Sequence, residues 1–449
     1  MDVLWYEIRE SAVNNLKGVL TFSMRERIFL LFWLLFIPAQ SLFAADDIKQ
    51  GDLLTLRQCI NIALKNHPAI SAATGAIRQS ESKIGKARAG YYPQLSLQSG
   101  YSRIGPPAAS LSNSSYDYYS NALNLNQTLF DFGKTSAAVD IQKLGRQSAE
   151  ADFQDTTASL TYSVQEAYFS LLKAKMSETV AMETVNQFQQ HLEVAQAFFE
   201  TGKSSKIDVT SAEVNLSNAR IQLISAQNVL RLWQVNLNKA MGVITAPEYE
   251  IQEYFNMEAG NITFEAALAR AYENRPDIQS IVLKKDALEK TVDLSKKDYL
   301  PVLSGNAAYG YAGQDAALNQ SWNVGVALTF PFFTGFSTKY AVEEAQAGLE
   351  ITKANEEALR QKVYQEVKSA WLNRHEAFER IEAGKITVRQ AEESLDLAQG
   401  RYSTGVGNSL EIVDAMIKLN NAKMTYITAL SDFNIAEASM EKAMGAKTI

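Results

Sequence analysis

The chain repeats itself once along its length, and that duplication limits the fold more than any other feature. At a constant offset of 208, residues 55–70 (TLRQCINIALKNHPAI) align with residues 263–278 (TFEAALARAYENRPDI), sharing Thr, Ala, Asn, Pro and Ile. The same offset pairs YYPQLS at 91–96 with YLPVLS at 299–304. Further on the offset becomes 203, which aligns TLFDFG at 128–133 with PFFTGF at 331–336 and FETGKSSKIDV at 199–209 with YSTGVGNSLEI at 402–412. It also pairs Met241-Gly242 with Met444-Gly445. A unit of this size is a duplicated domain, not a solenoid repeat. The expected copies are 45–244 and 263–449, joined by a linker over 245–262.

Each copy reads as helix, two strands, long helix, turn, helix. There are nine prolines, and none falls between Pro107 and Pro247 or after Pro331, so very long helices are expected. In the last helix of copy one, Val209, Ala212, Leu216, Ala219, Leu223, Ala226, Leu230, Trp233 and Leu237 alternate steps of three and four. Copy two repeats this with Ile412, Ala415, Leu419, Ala422, Tyr426, Ala429, Phe433, Ala436 and Met440. The helix before the first of these follows the same rhythm from Leu160 to Phe199, broken only at Glu178. A sustained seven-residue period means helices that supercoil around neighbours. If that helix runs from Lys134 to Glu200, it is about 100 Å long at 1.5 Å per residue. A coiled-coil spacer accounts for such helices equally well, so the strands must separate the readings.

WNVGVALTF at 322–330 sets Trp322, Val324, Val326, Leu328 and Phe330 against Asn, Gly, Ala and Thr, and QLSLQSGY at 94–101 alternates similarly. LSGNAAYGY and NALNLNQTL show the pattern more weakly. Tyr101, Tyr116, Tyr118, Tyr119, Tyr309, Tyr311 and Trp322 supply aromatics at the strand ends. Alternation bounded by an aromatic girdle is the mark of outer-membrane strands. Ahead of it lies an export signal over residues 1–44, read from Met24 as MRER, a ten-residue apolar core (IFLLFWLLFI) and PAQSLFA with cleavage after Ala44. That core is too short to span a bilayer, and residues 1–23 fit neither signal nor domain, as if translation begins at Met24. Four strands cannot close a barrel, because the smallest takes eight. Two chains give a filled eight and three give twelve with a possible lumen; three is expected. The fold class is mainly α with a membrane β-barrel part.

Several function classes drop out. A formal net charge of −7 without Lys/Arg blocks argues against nucleic acid. LFDFGKTS at 129–136 ends like a phosphate loop, but Thr128 stands where the loop's first glycine belongs, and copy two carries Phe336-Ser337 in place of Gly133-Lys134. No nucleotide site is expected, so the chain supplies no energy. His67, His191 and His375 are far apart, and the single cysteine, Cys59, has no nearby His. Neither enzyme activity nor a metal or cofactor is expected, and the three histidines and Cys59 read as packing or surface residues.

Taken in order and twice over, ALKNHPAI and AYENRPDI, YYPQLS and YLPVLS, LFDFG and FFTGF, ETGKSSKIDVTSAE and RYSTGVGNSLEIVDA resemble the TolC family of outer-membrane channel-tunnels. The resemblance covers the chain after residue 45. It implies a homotrimer with a twelve-stranded barrel in outer-membrane lipid and a twelve-helix periplasmic tunnel closed at its inner tip. It further implies a periplasmic adaptor and an inner-membrane transporter that drives efflux or type I secretion through a passive duct. The contrasting reading is a secreted coiled-coil structural or adhesive protein.

The helix-turn-helix tips carry the candidate site. Gly202 and Gly405 stand where left-handed C-caps are expected, and Ser205-x-x-Asp208 and Asn408-x-x-Glu411 resemble capping boxes. Asp414 follows Glu411 by three residues on the same helical face. By resemblance, Glu411 and Asp414 sit at the acidic ring of the periplasmic entrance, where three copies would gather about six carboxylates and attract cations; a solvated surface charge is the plainer reading of Asp414. Tyr402 matches an aromatic of the family's inter-helix lock and Asp208 its acidic partner, whereas Gly407 replaces the lock's arginine. Thr201, Gly202, Lys203, Thr404, Gly405 and Val406 match the turns that meet the adaptor. Ser211, Asn215, Asn218, Gln222 and Ser225 form a neutral polar line suited to a wet lumen or to an ordinary solvent face.

Overall fold

The computed structural model describes residues 48–446 apart from 106–114, 256, 258–261 and 315–316. The expected export signal lies outside the described residues. The elements run β1 (Leu53–Leu54), α1 (Leu56–Asn66), α2 (Pro68–Arg88), β2 (Gln94–Ile104), β3 (Tyr116–Phe130), α3 (Lys134–Glu200) and α4 (Lys206–Ala240). There follow β4 (Glu250–Ile251), α5 (Phe264–Asn274), α6 (Pro276–Lys297), β5 (Val302–Gln314), β6 (Ala317–Thr329), α7 (Ser337–Ser403) and α8 (Ser409–Ala443).

The single helix expected at the head of each copy is two helices. His67 and Arg275 precede prolines and are held extended at ψ 130° and 125°, which ends α1 and α5; Pro68 and Pro276 then open α2 and α6 at the first turn, where a missing N–H costs nothing. The repeated threonines are N-caps: Thr55 Oγ1 accepts from Gln58 N at 3.3 Å and Thr263 Oγ1 from Ala266 N at 3.3 Å. The repeated Met-Gly pairs are explained at the same place. Gly242 (φ 73°) and Gly445 (φ 67°) end α4 and α8 so close to these breaks that a Cβ would lie 2.7 Å from His67 Cα and 2.8 Å from Arg275 N. Each copy is thus closed against its own X-Pro turn. In copy two Arg275 reinforces the closure, donating to Asp277 and Glu366 at 2.7 Å each.

Helices α3 and α7 each contain 67 residues, and α4 and α8 each contain 35. Helix α3 packs on α4, α8 and α6, while α7 packs on α8 and α6. Of the seam of α8, all nine residues are buried except Tyr426, which is half-buried; on α4 Ala212, Leu216, Ala219 and Leu237 are buried and none of the rest is exposed. A second apolar row on α4 is left uncovered by the described residues: Ile207, Val214, Ile221 and Val235 are exposed at intervals that are multiples of seven. Ile351, Leu372 and Ile386 form a matching exposed row on α7.

The four long strands form one antiparallel sheet in the order β2-β3-β5-β6. The register aligns Leu97, Leu123, Tyr309 and Trp322 across it, and next to them Leu95, Leu125, Ala307 and Val324. This apolar face is open, with Leu97 at 76% and Val324 at 75% of full exposure. Among the described residues, the outer edges of β2 and β6 have no strand partner. The strand-to-helix turns each use two successive left-handed residues: Phe132 (φ 55°) and Gly133 (φ 78°), then Gly335 (φ 62°) and Phe336 (φ 67°). At the offset of 203 the glycine and phenylalanine have exchanged places within one backbone design. Lys297 Nζ braces the first turn by donating to Phe132 O at 2.9 Å.

Candidate functional site at the helix-turn-helix tips

The two tips share one backbone. After α3, Gly202 N donates to Phe199 O at 3.0 Å and Lys203 N to Phe198 O at 2.8 Å; after α7, Gly405 N donates to Tyr402 O at 3.0 Å and Val406 N to Arg401 O at 3.0 Å. Both are Schellman closures with the left-handed residue, Gly202 (φ 73°) or Gly405 (φ 77°), one place past the C-cap threonine. Thr201 and Thr404 Oγ1 return to carbonyls of the last helical turn, and Lys203 and Val406 project exposed from the two turns.

The side chains at equivalent positions behave differently. Asp208 Oδ2 accepts from Ser205 N at 3.0 Å and Ser205 Oγ at 2.8 Å, so this carboxylate caps its own helix. In copy two Asn408 Oδ1 accepts from Glu411 N at 2.9 Å, which frees the Glu411 carboxylate to take Arg401 Nε at 3.1 Å. Arg401 occupies the place that Phe198 holds in copy one. Arg401 lies six residues before Gly407, and a side chain on Gly407 would meet Arg401 Cβ at 3.0 Å. Asp414 is exposed and pairs along α8 with Lys418 at 2.6 Å, so it carries a compensating cation one turn on.

Tyr402 is 8% exposed and lies between the copies, with ring centroids 5.2 Å from Phe198 and 5.9 Å from His191. Among the described residues its hydroxyl has no hydrogen-bond partner, so no bond joins it to Asp208. Burial, then the nearby Asp208 charge, pushes this phenol above its ordinary range. His191 Nε2 lies 3.0 Å from Ser409 Oγ and is 4% exposed. Burial lowers its pKa, and Asp208 opposes that shift without overcoming it. Phe198, Tyr402, Asp208 and Lys203 line one cavity of about 440 Å³ at the turn. A second cavity, about 450 Å³, shares Phe198 and Tyr402 with the first and is lined also by His191 and Met416.

Six of the ten singled-out residues, Thr201 to Lys203 and Thr404 to Val406, are brought to two adjacent turns. Asp208 and Tyr402 share one cluster, and Glu411 and Asp414 sit apart on the opening turns of α8. Sequence reasoning missed His191, Ser409, Arg401 and Lys418. The signal for His191 was its place three residues past Phe188 and one before Leu192, at the margin of the apolar seam. The line Ser211, Asn218, Gln222 and Ser225 is exposed, with Asn215 half-buried.

Very long paired helices and one four-stranded sheet, with both outer edges unpaired among the described residues, define a chain with a helical and a β part. The sequence matches the outer membrane efflux protein family over residues 59–243 and 267–446, and the chain belongs to that family. The outer membrane protein TolC of Vibrio cholerae is 22% identical over 403 residues, covering 87% of this chain and 90% of its own. TolC of Escherichia coli is 24% identical over 426 residues, covering 90% and 84%. In structure, the CmeC outer membrane channel of Campylobacter jejuni superposes with a TM-score of 0.75 at 18% identity, over 87% of this chain and 85% of that one. The protein is an outer-membrane exit channel of the efflux and secretion type, extending into the periplasm.

Proposed function

We propose that three copies close a twelve-stranded barrel and a helical tunnel, forming the passive outer duct of a tripartite efflux pump or type I secretion system. The observation that carries this reading is the pairing of unsatisfied surfaces: sheet edges at β2 and β6, and uncovered heptad rows on α4 and α7. An exposed strand edge seeks a partner strand, and an apolar row at helical spacing seeks a partner helix. A rotation that joins β2 to the next copy's β6 also brings α4 toward the next copy's α7, so one symmetry operation covers both. The copies run 45–244 and 263–449 with a linker at 245–262, behind a removed signal 1–44.

In this assembly the tips point into the periplasm. Thr201, Gly202, Lys203, Thr404, Gly405 and Val406 present two parallel turns to a periplasmic adaptor, through which an inner-membrane transporter drives transport. Glu411 and Asp414 face the periplasmic entrance as a ring of acids, while Asp208 and Tyr402 belong to the contact that holds the tip shut. The test is the detergent-corrected mass of the mature protein by light scattering. Three chains are expected; a stable monomer would leave both sheet edges unpaired and overturn the assembly.

A further inference from the structure

We propose that the outer rows of α4 and α7 meet between neighbouring copies of this chain in one fixed register, Ile221 on Ile386 and Val235 on Leu372, and that Arg231 of one copy pairs across that seam with Glu379 of the next. The contact presupposes the threefold assembly and sets its helical register. Within the chain α4 packs on α3, and α7 packs on α8 and α6. On α4 Val214 lies two places from Ala212 and Leu216, Ile221 two from Ala219 and Leu223, and Val235 two from Trp233 and Leu237, all of them residues of the inner seam. Two residues are about 200° of helix, so the exposed row lies nearly opposite the face packed on α3. On α7 Leu372 lies between buried Ala370 and Arg374, Glu379 between buried Ala377 and Ile381, and Ile386 between buried Gly384 and half-buried Val388. A helix in a closed ring has one neighbour on each side, so the face opposite its intrachain neighbour is the one that meets the next chain.

A threefold rotation about the tunnel axis leaves heights unchanged, so heights within one chain decide which residues meet. The two tips lie at one level, the Tyr402 ring being 5.2 Å from that of Phe198. Helix α4 leaves the tip at Lys206 and α7 arrives there at Ser403. Ile221 is 15 residues from that end of α4 and Ile386 is 17 from that end of α7; for Val235 and Leu372 the separations are 29 and 31. Both pairs are therefore level to within about 3 Å at 1.5 Å per residue. The charged groups obey the same register. Glu379, 24 residues from the tip, takes an apolar position in the α7 row, and Arg231, 25 residues from it, flanks the α4 row between Asn228 and Val235. Arg231 is exposed and makes no ion pair among the described residues, while Glu379 is exposed and meets only His375, at 3.4 Å. An unpaired cation and an acid without a Lys or Arg, at equal height on converging faces, are complementary charges that a second copy supplies and a lipid surface does not.

The test uses the full detergent-purified protein, with the wholly buried Cys59 left in place. Ile221→Cys combined with Ile386→Cys should, on oxidation, give a covalently linked trimer on a denaturing gel, because α3 and α8 separate α4 from α7 within one chain. Ile221→Cys with Leu372→Cys, displaced by two heptads or about 21 Å along α7, should give none. Arg231→Glu and Glu379→Arg should each raise the fraction of dissociated chains severalfold at low salt, and the two together should restore the wild-type fraction. A threefold mass without the 221–386 cross-link overturns this register, leaves the trimer standing and assigns the rows to another partner. A double reversal no better than either single change overturns the ion pair. A monomeric wild type overturns the trimer itself, and the seam with it.

Discussion

The two tips are one backbone with two chemistries. In copy one, Asp208 is spent on its own helix terminus, and the residue before the turn, Phe198, is an aromatic wall. In copy two, Asn408 does the capping, so Glu411 is released to Arg401, and the ring equivalent to exposed Phe199 is the buried Tyr402. Duplication preserved what the turn needs, a left-handed glycine and an N-cap, and let the remaining positions diverge. The buried face went to copy two and the self-contained cap to copy one.

The largest test of this asymmetry compares Tyr402→Ala with Phe199→Ala. Truncating a buried aromatic costs about 3–5 kcal/mol, whereas the exposed equivalent should cost roughly 1 kcal/mol or less. Hydrogen exchange of the tip amides reads both, and equal losses would dissolve the distinction between the copies. Next come Gly202→Ala and Gly405→Ala, where a side chain in the left-handed region costs about 1–2 kcal/mol. Here the copies should respond alike, since the backbone is shared; a cost in one tip alone would break the claim of a common turn.

Acid should act on the junction between copies. His191 is held neutral by burial, so its pKa lies below the ordinary 6.5. Its stabilising contribution is present above that ordinary value and is lost as pH falls from there through the folded value, because the opened tip binds the proton more readily. Protease cleavage at the turns should rise between neutral pH and mildly acidic pH, and His191→Gln should flatten that profile. A wild-type profile identical to that of the variant would remove His191 from the clasp. The smallest effect concerns the acids of copy two. Replacing Glu411 and Asp414 with Ala should weaken block by multivalent cations in bilayer recordings by a few-fold, while Asp208→Asn, a capping carboxylate, should change block less. Block unchanged in the double variant would take both residues out of the conducting path.

Much of this architecture is legible in the sequence because period and punctuation are local. The seam from Ile412 to Met440 is buried in the structure but for half-buried Tyr426, and α3 begins at Lys134 and ends at Glu200, because Gly133 and Gly202 mark breaks that only glycine makes easily. Other features hide for physical reasons. The Phe132-Gly133 turn is matched by Gly335-Phe336, and each puts a phenylalanine at positive φ, where propensity disfavours it; Lys297 braces the first of the two turns. The break at Asn66-His67 is visible only once Pro68 is given its strict effect on the preceding residue. His191, Ser409 and Arg401 escape because their partners lie on other helices or beyond the turn, at separations that no periodicity encodes.

The equal lengths of α3 and α7, 67 residues each, act as a ruler cut twice to the same mark. Tyr402 meets Phe198 and His191 only because both helices leave the sheet at one level and arrive at one level. Seven residues added to a single helix would move its turn by about 10 Å and part that meeting. The length of such a duct is therefore quantised. It can change only by matched heptads in all four long helices, which ties its growth over evolutionary time to the simultaneous editing of both halves of the gene.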